Sequence, residues 1–250
     1  MLRDGNGTRP RLRTMSEIAG RLVPQVAATL LQSPGGRGLL LSGIPGLPPA
    51  EVSIIGAGEV GFNAARAFAG AGAQVTVLDE AHRLAELDRV FDVPGRIRLM
   101  YSYPDQLTMA AAFSDVLVGA ILRPGERTPH VVTEEMVREM RPGSAVIDVS
   151  IDQGGCVATS RPTTLRDPVF VDHGVLHYCV PNFTALVART ASRALSNVLR
   201  PVLVRHAGGA DALRADSELR SALMVYRGHV VDRQLADAQG VELRRVEDIS

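Results

Sequence analysis

The stretch that most constrains this chain is residues 51–61, where the run Glu51–Ile55 leads into Gly56, Ala57, Gly58, Glu59, Val60 and Gly61. A G-x-G-x-x-G pattern alone is weak, because it is short and glycine is common. Here it follows an apolar strand, opens a small-residue helix over Phe62–Ala69, and precedes a second strand, Gln74–Leu78, that ends in Asp79. Each residue then has a physical task. Gly56 permits the tight turn, Gly58 lets a pyrophosphate approach the backbone, and Gly61 lets the helix pack close to the strand. The helix N-terminus adds free N–H groups and a partial positive charge. Asp79 would accept hydrogen bonds from adenosine ribose hydroxyls. A 2′-phosphate there would meet a carboxylate, so the pattern favours NAD over NADP. Arg83 softens that preference, since it could instead neutralise Asp79 or contact the ribose region.

The rest of the chain repeats the alternation. Further apolar strands are expected over Arg96–Tyr101, Asp115–Ile121, Ser144–Val149 and Val175–Val180, with a helix from Thr133 to Met140 stopped by Pro142 and Gly143. Near-continuous apolar strands separated by helices argue for an α/β fold, a doubly wound (Rossmann) parallel sheet flanked by N- and C-terminal helices. The expected organisation is a loose leader over 1–13, a helix and loop over 14–49, the nucleotide-binding domain over 50–183 and a helical segment over 184–250. In the second of these, Met15–Gln32 reads as a helix with Ile18, Leu22, Val26 and Leu30 on one face, Ser16 where an N-cap would sit, and Pro24 expected to kink or interrupt it. Beyond Asn182 a long amphipathic helix carries Leu186, Leu195, Val198, Leu199 and Val202, with Pro201 near its end, and Asp211–Ser250 reads as one or two more helices and a tail.

Composition narrows the partners. Lysine plus arginine equals aspartate plus glutamate at 27 each, which leaves no electrostatic footprint for nucleic acid or an anionic membrane. Aromatics are 4% of residues and tryptophan is absent, so a base-stacking platform is not expected. No apolar run reaches the roughly 20 residues that span a bilayer. The basic leader lacks the apolar core of a signal peptide. Cys156 and Cys179 have neither zinc-site nor redox-pair spacing, so they read as buried free thiols and no metal is expected. A cytoplasmic location fits these features.

Several segments together resemble the alanine dehydrogenase and pyridine nucleotide transhydrogenase family. They are Met15–Arg21, Gly38–Gly46, Gly119–Gly125, Val149–Cys156, Arg161–Thr164 and His177–Asn182, and the likeness runs in order from about residue 14 to the C-terminus. The resemblance implies NAD contacts from Ser16, from Gly56, Gly58, Glu59, Val60 and Gly61, and from Asp79, Arg83 and Ser102. It implies further contacts from Ile121, Leu122, Val149, Ser150, Ile151, Asp152, Arg161, Val180, Pro181, Asn182 and Phe183. Asp152 matches the family's acidic residue beside the nicotinamide and the reacting carbon, and Asn182 a residue across that site. Independently, Asp152 lies just past a strand's C-terminal end, where open α/β sheets bind ligands. It could also be a turn former, Ser16 a cap, Ser102 a loop hydroxyl and Asn182 a helix cap. His177, among apolar strand residues, reads as structural.

The resemblance also implies a preceding lobe that holds the oxo-acid substrate, and the short leader gives the expectation that this lobe is absent. Ser150, Pro181, Phe183 and Thr184 depart from the family's usual residues, and Phe183 is expected to put a bulky ring near the nicotinamide. The leading reading is an NAD(H)-dependent oxidoreductase of alanine dehydrogenase type acting on a small-molecule substrate, with Asp152 catalytic. A non-catalytic NAD(H)-binding subunit or sensor, or a degenerate remnant, is the alternative. Apolar Leu22, Val26, Leu195 and Val198 lead to the expectation of a homo-oligomer or a separate lobe-bearing subunit.

Overall fold

The computed structural model describes residues 10–91, 95–123, 127–207, 220 and 222–248. They fall into two compact units, one over residues 16–186 and the other drawn from 1–15 and 187–250.

In the first unit a seven-stranded sheet runs in the order β3-β2-β1-β4-β5-β7-β6. Its strands are β1 (Glu51–Ile55), β2 (Gln74–Asp79), β3 (Ile97–Tyr101), β4 (Val116–Gly119), β5 (Ala145–Asp148), β6 (Val169–Asp172) and β7 (Val175–Tyr178). Six strands are parallel and β6 alone is antiparallel, paired with β7 at the edge. The order reverses between β1 and β4, with Ile55 opposite Gly119. Such a reversal opens a crevice outside the strands' C-terminal ends, because the connections on either side leave toward opposite faces. The central strands β4 and β5 are wholly buried and mostly apolar, as a sheet covered by helices on both sides requires.

The covering helices are α1 (Pro10–Leu30), α2 (Glu59–Gly70), α3 (Ala81–Asp88), α4 (Pro104–Phe113) and α5 (Glu134–Arg138). Under α4 and α5, Leu107, Ala111, Met136 and Val137 join Ile55, Leu117 and Val146 in one buried apolar cluster. Burying each such large side chain favours folding by about 1.5–3 kcal/mol. Thr133 caps α5 as expected, its hydroxyl accepting the Met136 N–H. Helix α1 starts at Pro10, so residues 10–13 belong to it rather than to a loose leader; the remainder of that leader lies outside the described residues. Proline is well suited to a first helical turn, where its missing N–H has no partner to lose. The helix also runs through Pro24 without a break. Buried Ala19, Leu22 and Val23 before it and Ala27 after it hold the helix down on both sides. Leu22 is therefore covered by the chain itself and offers no apolar surface to a partner.

In the second unit α6 (Ala188–His206) is the long amphipathic helix, and it runs through Pro201. The C-terminal stretch differs from the all-helical expectation. A hairpin of β8 (Val225–Tyr226) and β9 (His229–Val230) precedes α7 (Arg233–Gln239). Arg227 and Gly228 both take positive φ, 45° and 82°, the backbone that a two-residue hairpin turn demands. Residues 211–219, 221, 249 and 250 of that expectation lie outside the described residues. Among the described residues no helix is long and apolar enough to cross a membrane.

Candidate cofactor site

The three glycines of the β1–α2 turn have three different environments. Gly56 has φ +96°, and a Cβ there would stand 2.8 Å from the Ala120 carbonyl oxygen. A Cβ at Gly61 would stand 1.9 Å from the Gly56 carbonyl oxygen, so only glycine lets α2 start this close to the turn. A Cβ at Gly58 would meet nothing within 4 Å. The first two glycines satisfy the protein's own packing, and the third faces open space. Gly58 is also the N-cap of α2, with no side chain capping it, so the helix's first N–H groups lack intrahelical acceptors. Space at a positive helix end is what a pyrophosphate needs.

That space is a cavity of about 450 Å³ at the sheet's reversal point. Gly56, Gly58, Glu59 and Val60 line it, and so do Ser16, Asp79, Arg83, Ser102, Ile121 and Leu122. Ten residues expected around a dinucleotide thus share one wall. Asp79 is held rigidly: one carboxylate oxygen accepts the Ala57 N–H at 2.5 Å and the other the Glu80 N–H at 2.7 Å. Arg83 donates from Nε to the Ala57 carbonyl at 2.9 Å and pairs with Glu86 at 2.6 Å. It does not pair with Asp79. The Ala57 peptide is therefore gripped at its N–H by Asp79 and at its C=O by Arg83. The bonds come from the end of β2 and from α3, and they hold the glycine turn in register.

Ser16 is not an N-cap, because α1 begins six residues earlier; it is a buried residue within the helix. It reaches the cavity because Gly20 lets α1 lie against α2, where a Cβ would be 2.5 Å from the Val60 carbonyl oxygen. Leu107, Pro129 and Val131 also line the cavity and were not singled out in the sequence. Leu107 belongs to α4, which no sequence signal marked, and the other two follow β4 with no motif around them.

The remaining expected site residues do not line this cavity. Gly61 packs beneath it, as described. Val149, Ser150, Ile151 and Asp152 form a 3-10 turn directly after β5, at the same C-terminal edge of the sheet. Asp152 is exposed at the outside of this turn, and its carboxylate accepts the Asn182 backbone N–H at 3.1 Å. This bond brings the segment Val180–Phe183 to the turn after β5. Asn182 has φ 53°, and its side-chain oxygen accepts from Thr184 Oγ1. The ring of Phe183 is buried edge-on to Tyr178, 5.7 Å between centroids, rather than projecting outward. Pro181 is half-buried beside it, and Val180 is buried. Arg161 lies over the ring of Phe170, 4.1 Å from its centre. The other stacking neighbour of Phe170 is His177, which is fully buried between Thr159 Oγ1 at 2.8 Å and the Val175 carbonyl at 3.0 Å. Burial holds His177 below the usual histidine pKa. Both cysteines are free and buried, and burial raises both thiols, Cys179 to about 11 and Cys156 well above the ordinary thiol value. They are inert thiols.

Comparison with known proteins agrees with this geometry. Residues 23–233 match the model of the alanine dehydrogenase/PNT family, C-terminal domain. The chain belongs to this family. It is 45% identical over 244 residues to an alanine dehydrogenase of Staphylococcus haemolyticus, covering 96% of this chain and 65% of that protein. An alanine dehydrogenase of Halomonas elongata is also 45% identical, over 94% of this chain and 64% of its own length. A solved L-alanine dehydrogenase superposes with a TM-score of 0.90 at 41% identity, over 95% of this chain and 66% of that one. A transhydrogenase from Sinorhizobium meliloti shares the fold at a TM-score of 0.72 and 21% identity, over 88% of this chain and 63% of that one. The chain thus spans about two thirds of the length of these relatives. The family's C-terminal domain binds NAD(H), and the residues present fit that cofactor. Gly58 leaves the cradle open, and Asp79 presents a fixed carboxylate 22 residues beyond Ala57 in the chain.

Proposed function

We propose that this chain is the cofactor-binding part of an NAD(H)-dependent oxidoreductase of alanine dehydrogenase type. The reaction is L-alanine, NAD⁺ and water to pyruvate, ammonium, NADH and a proton, or its counterpart on a related oxo acid or imine. The observation that carries the reading is the cavity at the sheet's reversal point, with Gly58 open to it and Asp79 fixed at its edge. The nicotinamide supplies a hydride acceptor or donor when bound. In this reading the α2 N-terminus takes the pyrophosphate, while Asp79 takes the ribose hydroxyls and Ser16 and Ser102 contribute polar contacts along the same wall. Asp152, exposed where two loops meet, exchanges a proton with the substrate nitrogen or the attacking water. The Asn182 N–H orients its carboxylate.

The alternative reading is a module that binds NAD(H) without turning over a substrate. One assay separates them. NADH oxidation is followed with purified protein, ammonia and a series of small oxo acids, beside NADH binding by fluorescence. Turnover that Asp152→Asn abolishes while NADH still binds supports the enzyme. Binding without turnover on any oxo acid supports the module. No binding at all overturns both.

A further inference from the structure

Asp148, the last residue of β5, is only 1% exposed, yet it carries a carboxylate. Its surroundings show what that carboxylate holds. One oxygen accepts the Ser150 N–H at 3.0 Å, and the other accepts the Cys156 N–H at 2.9 Å and the Val157 N–H at 3.2 Å. The Cys156 thiol lies 3.8 Å from the first oxygen, and the Ser160 hydroxyl favours the charged carboxylate. Every partner lies in the excursion that follows β5. The bonds to residues 150 and 156 join the two ends of a short loop whose outermost residue is Asp152. Two backbone bonds inside the loop close around the same point, Gly154 N–H to the Ile151 carbonyl and Gly155 N–H to the Ser150 carbonyl. Its neighbours are small because the carboxylate and the Cys156 thiol fill the space. A Cβ at Gly119 would stand 2.8 Å from one Asp148 oxygen, and a Cβ at Gly155 would stand 2.8 Å from the other.

We infer that Asp148 is a positioning residue: its buried carboxylate closes the base of the 150–156 loop and so sets where Val149–Asp152 stand at the nicotinamide end of the site. This rests on the NAD(H) reading proposed above. An apolar strand end could pack equally well against β4, but it would leave the N–H groups of residues 150, 156 and 157 buried without an acceptor. Burial pushes the Asp148 carboxyl above the ordinary carboxylate range, and the donated N–H bonds pull it back. A group whose burial works against its charge is retained here by what it ties together.

The two halves of the cofactor make the inference testable. ADP-ribose has the pyrophosphate and both riboses but no nicotinamide ring. In the full chain, Asp148→Asn is expected to raise the NADH dissociation constant about 10-fold, the size of one lost charge-assisted hydrogen bond. It should change the ADP-ribose constant by less than about 2-fold, since the Gly58 and Asp79 contacts lie on another loop. Hydrogen exchange at the amides of residues 150, 156 and 157 should quicken, while β1 and β2 stay protected. Equal weakening of both ligands, or of neither, overturns the inference. Should Asp148→Asn fail to fold, Ser160→Ala removes a hydroxyl that favours the same charged carboxylate and is read the same way at smaller size. A wild-type chain that binds neither ligand would instead refute the NAD(H) reading. Exchange at those three amides would then decide the loop's dependence on Asp148 by itself.

Discussion

The three glycines of the turn predict three separable outcomes, and the sharpest contrast is between Gly58→Ala and Gly61→Ala. At Gly61 the new methyl would lie 1.9 Å from the Gly56 carbonyl oxygen, a backbone atom that cannot swing away, and 3.3 Å from Ile54 Cγ2. Helix and turn must separate, and overpacking of this kind costs about 1–3 kcal/mol. For a chain of this size each kcal/mol lowers the melting temperature by about 2–4 °C. At Gly58 the methyl meets nothing within 4 Å, and the backbone there, φ −64° and ψ −168°, suits any residue. Two small effects oppose each other: alanine stabilises by about 0.4–1 kcal/mol through the unfolded chain, and it is a poorer N-cap than glycine. The melting temperature should therefore stay within about 2–3 °C of wild type. The methyl would, however, stand where the pyrophosphate must approach the α2 N–H groups. Losing one hydrogen bond to a charged group, about 1.5–3 kcal/mol, weakens NADH by about 10- to 100-fold. Thermal melts and NADH fluorescence titration on both variants give the four numbers required. Gly58→Ala binding NADH as wild type does would refute the claim that this turn cradles the phosphates. A Gly61→Ala variant as stable as wild type would refute the close approach of helix and turn.

Two further predictions follow from groups whose environments are defined. Asp79→Asn keeps an acceptor for the Ala57 N–H but removes the charge, so NADH should weaken and the NADH-to-NADPH affinity ratio fall by about 10-fold; an unchanged ratio would exclude Asp79 from cofactor choice. His177 has its pKa depressed from 6.5 by burial, so the unfolded chain takes up its proton first as pH falls. The stability that His177 contributes is therefore complete above about pH 6.5 and is lost as pH falls from there through its folded value. Melting temperatures measured from pH 8 to 5.5 should decline below 6.5, by about 2–4 °C for each kcal/mol lost, and decline less in His177→Gln. Equal slopes would refute the assignment.

How much of this was legible in the sequence depended on whether a signal was local. The β1 strand, its glycine turn, α2 and Asp79 could be read because each residue's task is set by neighbours within about thirty positions. The parallel strands could be read because a sheet covered on both faces demands continuous apolar runs. What escaped was set by contacts at longer range. Strand β6 is four residues at a sheet edge, half-exposed, with no burial pattern to mark it. The cap reading left open for Ser16 closes only when Gly20 is seen to let α1 lie against α2. The edge-on packing of Phe183 against Tyr178 is tertiary and has no mark in the sequence. Asp148 ends an apolar run as Asp79 does. Nothing in the sequence distinguishes a carboxylate that meets a ligand from one that turns inward to take three N–H groups.

Those carboxylates share a physical logic. A parallel sheet sends its chain out of every strand's C-terminal end into a loop whose N–H groups have no ladder partner. Functional loops gather there, and a loop that must present N–H groups or a carboxylate to a ligand has to be fixed before the ligand arrives. In this chain the fixing groups are acidic side chains at or just past the strand ends. Asp79 holds Ala57 and Glu80, Asp148 holds residues 150, 156 and 157, and Asp152 holds Asn182. A carboxylate suits this because it only accepts, offers two oxygens, and forms stronger bonds to N–H groups than a neutral acceptor does. The cost is desolvation, and it is graded by depth. Asp79 and Asp152 keep access to water and can meet a ligand as well as a loop. Asp148 is sealed beneath Gly119 and Gly155 and can meet only its loop. Depth rather than residue type thus separates the aspartates that would touch cofactor or substrate from the one that places them.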